Sequence, residues 1–127
     1  MKRRIIIGAA AIIALGLVLT RTQIINPRDT SDGLDIIASG LETPWSLTFS
    51  SDGTLYFTER PGRVNVIQDG EIHTLLTLDV AASAGREGGL LGIELDTNFP
   101  ENRHVYVYYT YRDKESKRWN RISRYTD

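Results

Sequence analysis

An all-β fold assembled from β-propeller blades is the architecture this sequence predicts over residues 34–127, and three observations predict it. Short runs rich in β-branched and aromatic residues alternate with turn signals. The runs fall into two sets that match each other at a spacing of about 46–50 residues. After the N-terminal segment, no amphipathic run is long enough to need a helix.

The chain opens on an address rather than a fold. Lys2, Arg3 and Arg4 precede an apolar run of 15 residues, Ile5 to Leu19. A basic stretch followed by an apolar one is the arrangement of an export signal. It falls short of the roughly 20 residues that span a bilayer comfortably. No small-x-small cleavage site follows the run, so a cleaved signal and an uncleaved signal anchor both remain open. A buried core helix fits less well, because the run has no polar face and begins on three adjacent bases. Residues 1–21 are therefore expected to form an apolar helix. It would direct the chain out of the cytoplasm and associate it with a membrane, with the bases left on the cytoplasmic side. Residues 22–33 carry Pro27, Asp29, Ser31 and Gly33 without periodicity and read as a linker.

The strand runs follow in order. Leu34–Ala38 comes first, placed to join a last blade and close a ring. Trp45–Phe49 is followed by the Ser51-Asp52-Gly53 turn, and Thr54–Thr58 returns. Pro61-Gly62 turns the chain into Arg63–Gln68. Asp69-Gly70, a strong two-residue hairpin signal, leads into Glu71–Leu78. In the second set, Leu91–Leu95 precedes a turn at Asn98–Asn102. His104–Tyr111, the charged turn Asp113–Lys117 and Trp119–Tyr125 complete it. Trp45–Phe49 matches Leu91–Leu95 at a spacing of 46, and Leu55–Thr58 matches Val105–Tyr108 at 50. Four up-and-down strands per repeat of this length define a propeller blade. A single meandering sheet or a small barrel is the competing architecture. Propellers close with about 4–8 blades, and these residues supply about two, the second lacking a fourth strand. The chain is therefore expected to be part of a longer protein.

Composition narrows the function. The chain carries 15 basic and 16 acidic residues. No acidic residue precedes Asp29, so once the three leading bases are set aside the remainder is acidic. That balance argues against a nucleic-acid partner, which needs a concentrated basic face. There is no cysteine, which excludes disulfides and thiolate chemistry.

Three stretches resemble the glucose/sorbosone dehydrogenase family. The first is Leu41-Glu42-Thr43-Pro44-Trp45-Ser46-Leu47, with Ser51-Asp52-Gly53 and Thr58-Glu59-Arg60-Pro61-Gly62-Arg63 after it. The second is Arg86-Glu87-Gly88-Gly89-Leu90-Leu91-Gly92-Ile93. The third runs from Asn98-Phe99-Pro100 through Val105-Tyr106-Val107-Tyr108 to Asn120-Arg121-Ile122-Ser123-Arg124-Tyr125. The resemblance implies a six-bladed propeller that binds pyrroloquinoline quinone and calcium and oxidises the C1 hydroxyl of an aldose sugar. It also implies a general-base histidine, quinone-clamping arginines and calcium ligands in later blades. No catalytic or metal-binding residue of this chain is assigned. The alternative function is a non-catalytic extracytoplasmic propeller that only binds.

One cofactor-binding residue carries over by the resemblance. Glu87 occupies the loop position that contributes a side chain near the quinone and substrate. Read without the family, Glu87 sits in a glycine-rich loop between blades, and such loops form a propeller's binding face. Gly85, Gly88 and Gly89 would allow close approach to a ligand. The same residues also fit a solvated loop acid with glycines that only make the turn. Arg86 beside it is a weak anion signal. His73 and His104 lack a carboxylate or second histidine at ligand spacing and read as structural or exposed. Asp96 reads as turn chemistry, and Thr58-Glu59-Arg60 as a strand end that anchors the next turn.

Overall fold

In the computed structural model, residues 33–83 and 87–127 are described. The export segment and most of the linker lie outside them. Among the described residues no helix is long and apolar enough to cross a membrane.

The described residues form two antiparallel sheets. The first has four strands in the order β1-β2-β3-β4: Pro44–Phe49, Leu55–Glu59, Arg63–Gln68 and Glu71–Thr77. The second has three, β5-β6-β7: Leu90–Leu95, His104–Arg112 and Arg118–Thr126. Each strand pairs with the one before it, the up-and-down meander of a propeller blade. The repeat extends to a local irregularity. The ladder slips between Pro44 and Leu47 where β1 meets β2, and again between Leu90 and Gly92 where β5 meets β6. The two bulges occupy equivalent places in the two sheets.

Turn chemistry sets the registers. Asp69 and Gly70 both take positive φ, 52° and 77°, as a two-residue hairpin requires. The expected Asn98–Asn102 turn is a single helical turn, α1, at Phe99–Asn102. Pro100 lies in its first turn, where its missing N–H costs nothing. Arg103 ends α1 in the left-handed conformation, its N–H donating to the Phe99 carbonyl.

One expected strand does not form. Leu34–Ala38 has no regular structure. An isolated strand gains no ladder hydrogen bonds, and no described strand lies beyond β1 to pair with it. Its side chains instead line an apolar groove with Trp45 and Leu47 of the first sheet.

The core is the seam between the sheets. Tyr56, Val64 and Val66 face Leu90, Ile93, Leu95, Val105, Val107 and Tyr109. Phe99 closes one end, its ring edge-on to Tyr56 at 5.4 Å, a favoured aromatic geometry. The outer faces are uncovered: Leu47 and Phe49 are 60% exposed on one side and Ile122 is 72% exposed on the other. Leu90 is fully buried at the centre of the seam. Leu90→Ala is therefore expected to cost about 3 kcal/mol, measured by denaturant unfolding. Ile122→Ala in the same 127 residues is expected to change stability by less than about 0.5 kcal/mol.

Candidate functional site

The meander brings all the relevant loops to one end. The β2–β3 and β6–β7 turns and the β4–β5 connection share it, because antiparallel strands alternate direction. The opposite end holds the β1–β2, β3–β4 and β5–β6 connections.

Main-chain hydrogen bonds fix the β4–β5 connection to both sheets. Leu78 N–H donates to the Gly62 carbonyl and Leu90 N–H to that of Arg60, each at 2.9 Å. Ala81 N–H donates to Thr110 at 2.7 Å, and Thr110 N–H returns to Gly89 at 2.9 Å. The fully buried Thr58 hydroxyl donates to the Leu91 carbonyl at 2.8 Å.

Gly88 and Gly89 take φ of 123° and 113°, which side chains rarely tolerate. A Cβ on Gly89 would lie 2.4 Å from the Arg60 carbonyl oxygen, and one on Gly88 2.0 Å from an Arg118 guanidinium nitrogen. These glycines are filled against by protein, so packing rather than approach to a ligand accounts for their missing side chains. Gly85 and Arg86 lie outside the described residues.

Glu87 is exposed at the edge of a cleft of about 480 Å³. Tyr108, Arg118, Trp119 and Asn120 are among the residues that line it. Arg118 Nη2 is engaged by the main chain. It donates to the main-chain carbonyls of Glu87 at 2.6 Å and Ala81 at 3.2 Å. A carboxylate at such an edge can accept a hydrogen bond or a proton from a hydroxyl. A larger groove of about 580 Å³ on the outer face of the first sheet is lined mainly by apolar side chains such as Trp45 and Leu47, with Asp35 its one charged residue.

The buried acidic group at this end is structural. Glu59 is 6% exposed and accepts from Arg63 Nε and Asn65 Nδ2, both at 2.8 Å, and from Glu42 N–H. Asn65 in turn accepts from the Thr74 hydroxyl. Burial opposes the charge on Glu59, but these donors outweigh it and hold the carboxyl below its ordinary range. Thr58-Glu59-Arg60 thus anchors a strand end.

The remaining candidates separate from the site. Asp96, at the opposite end, accepts from Asn98 N–H, the Asn102 amide and the Tyr106 hydroxyl. Those donors, Asn98 N–H foremost, pull its pKa to about 2. It is a turn-forming aspartate. His73 is exposed on β4 and His104 half-buried at the start of β6. Among the described residues no three His, Cys, Asp or Glu side chains cluster as metal ligands.

Sequence reasoning missed Arg118. A usable signal exists: Arg63-Val64-Asn65 at the start of β3 recurs 55 residues later as Arg118-Trp119-Asn120 at the start of β7. In both sheets that arginine reaches back to the residues before the sheet's first strand. Arg63 meets the Glu42 carboxylate at 2.8 Å, and Arg118 meets the Glu87 carbonyl.

Two successive blades of a β-propeller, with the connection between them and one turn of each gathered at one end, define the class of protein. The family model for glucose/sorbosone dehydrogenases matches residues 41–127, and the chain belongs to that family. It is 28% identical over 118 residues to quinoprotein glucose dehydrogenase B of Acinetobacter calcoaceticus, covering 85% of this chain and 24% of that one. Among solved structures, it is similar to a glucose dehydrogenase from Thermus thermophilus, with 38% identity and a TM-score of 0.62. That match covers 69% of this chain and 26% of the other. The PQQ-bound form of an aldose sugar dehydrogenase from Streptomyces coelicolor matches at 32% identity and a TM-score of 0.59, over 69% and 25% of the two chains. The chain spans about a quarter of the length of these relatives.

The Glu59 network carries a pH signature. Its depressed folded-state pKa means that its contribution is complete above the ordinary value of 4.5 and is lost as pH falls through the folded value. Glu59→Gln is expected to destabilise the fold by about 1–3 kcal/mol at about pH 7. The gap from wild type should narrow steadily below pH 4.5, followed by urea unfolding at a series of pH values.

Proposed function

We propose that the protein supplies the first two blades of a pyrroloquinoline-quinone-dependent dehydrogenase that oxidises the C1 hydroxyl of an aldose, working outside the cytoplasm. The single observation that carries this reading is the placement of Glu87. The family's glycine-rich loop stands at the shared loop end of both sheets, with an acidic side chain exposed beside an aromatic-lined cleft.

The residues present suit an edge of a flat, aromatic quinone away from its carboxylates. Tyr108 and Trp119 offer aromatic surface, Asn120 an amide and Glu87 a polar contact. When bound, the quinone supplies the acceptor for the hydride leaving C1. Glu87 orients the sugar hydroxyl or the quinone's pyrrole N–H by accepting its hydrogen bond, held in place by a loop pinned to both sheets. Calcium does not fit the described residues, which offer no ligand cluster, and no step is assigned to it. The residues before Leu34 export the chain and associate it with a membrane.

In the complete gene product loaded with quinone, Glu87→Ala is expected to lower kcat/KM for glucose or another aldose by about 10–100-fold. Its melting temperature should stay within a few degrees of wild type, since an exposed loop side chain adds little to the core. Unchanged kinetics would overturn the site assignment. Sugar binding without turnover would favour the binding-module alternative. The 127 residues alone are expected not to reduce a dye with any aldose, because propeller-top sites draw residues from several blades; turnover by them would contradict the assembly argument. Residues 1–33 fused to a reporter active only outside the cytoplasm should give signal, abolished when Ile12 and Ile13 are both replaced by aspartate. Signal surviving that change would refute the export assignment.

A further inference from the structure

We propose that Arg118 is the positioning residue of the candidate site, acting as a clamp that fixes where Glu87 stands. The inference rests on the assignment of Glu87 above and deepens it.

The geometry is specific. Arg118 opens β7, two strands away from β5 in the second sheet. Its side chain crosses the end of that sheet, and Nη2 donates to the Glu87 and Ala81 carbonyls. Those two carbonyls belong to opposite ends of the β4–β5 connection. From Glu87 to Gly89 no main-chain N–H donates to a main-chain carbonyl of the described residues. The guanidinium is therefore the tie nearest Glu87 itself. Gly88 shows how close the fit is, since a Cβ there would sit 2.0 Å from the same nitrogen.

The equivalent arginine of the first sheet shows why this one does something different. Arg63 pairs across the ladder with Glu59, and its charge is spent on the Glu59 and Glu42 carboxylates. At the corresponding ladder position in the second sheet, Arg118 lies opposite Arg112. No carboxylate is across the ladder to hold the guanidinium, and it binds main-chain carbonyls instead. The Glu87 carboxylate, unlike that of Glu42, has no ion-pair partner among the described residues. Arg118 therefore holds the loop without neutralising the acid the loop presents.

The test uses the complete gene product in four forms: wild type, Arg118→Met, Arg118→Lys and Glu87→Gln, with Arg124→Met as an exposed control on the same strand. Hydrogen exchange is read in the peptide covering residues 79–91, and quinone affinity by titration with pyrroloquinoline quinone. Losing a charge-assisted tie to two carbonyls should raise exchange about tenfold at the Ala81 amide, the protected one of the connection in that peptide, with the strands unchanged. Quinone affinity should fall by a similar factor. Arg118→Lys should recover part of both, and Arg124→Met should match wild type. Wild-type exchange in Arg118→Met would overturn the clamp. If the loop loosens while affinity holds, Glu87→Gln decides which idea fails. Weakened binding in Glu87→Gln alone sinks the positioning role. Unchanged binding in both variants means that Glu87 does not serve the quinone, and the inference falls with that assignment.

Discussion

The approach of Gly89 to the Arg60 carbonyl sets the distance between the two sheets at the loop end, and much else follows from that distance. Only a residue without a side chain lets the main chain come this close. Leu90 N–H then reaches the Arg60 carbonyl, and the buried Thr58 hydroxyl reaches Leu91. With β5 fixed against β2, Leu90 and Ile93 drop into the seam beside Tyr56 and Val66. Any side chain at residue 89 would wedge the sheets apart where they are joined by hydrogen bonds rather than by apolar packing. The loop that carries Glu87 leaves this junction directly, so the geometry of the candidate site is inherited from blade packing.

The two sheets solve the same problem with different charges. Each ends its inner strands among polar groups, and each has an arginine at the start of its third strand. In the first sheet the arginine is matched by two carboxylates, and the buried Glu59 is satisfied by three donors. A buried charge with that many partners is held as a rigid anchor. In the second sheet the ladder partner is Arg112, whose own guanidinium turns to the Ser116 carbonyl. The result is one closed, neutralised end and one end with an exposed acid. The same up-and-down order thus presents different charges at the two sheets, with Glu59 across the ladder from Arg63 in one and Arg112 across from Arg118 in the other.

The fold is legible in the sequence because its signals are local. Asp69-Gly70 specifies its hairpin by φ alone, and alternating β-branched and aromatic residues specify the strands around it. Leu34–Ala38 misleads for the complementary reason. Its pattern suits a strand, but a strand exists only with a neighbour to bond, and no local signal reports that. The Glu87 loop is legible through the spacing of its glycines, yet their purpose is not. They accommodate Arg60 and Arg118, contacts made 29 and 30 residues away along the chain. Arg118 itself escapes notice because an arginine at the edge of a charged turn looks like a solvated residue. Its significance appears only when it is set beside Arg63, two residues before an asparagine in each sheet.

The distribution of burial divides the site into two halves. A blade in a propeller is sandwiched, so both of its faces must be apolar, and the sequence here spends apolar residues on both. Trp45, Leu47 and Phe49 face away from the seam on one side, and Tyr108 and Ile122 on the other, all more than a third exposed. Such residues are a poor choice for a permanent surface, since they invite association at the cost of solubility. They suit surfaces meant to be covered by further sheets. The cleft beside Glu87 lies on one of these faces, bounded by Tyr108 and Trp119. Its outer wall is therefore the part of the site that a neighbouring sheet would complete, whereas its inner wall, fixed by Arg118 and the glycines, is already formed. The inner wall is thus built by residues of these two sheets, and the outer wall is open beside Tyr108.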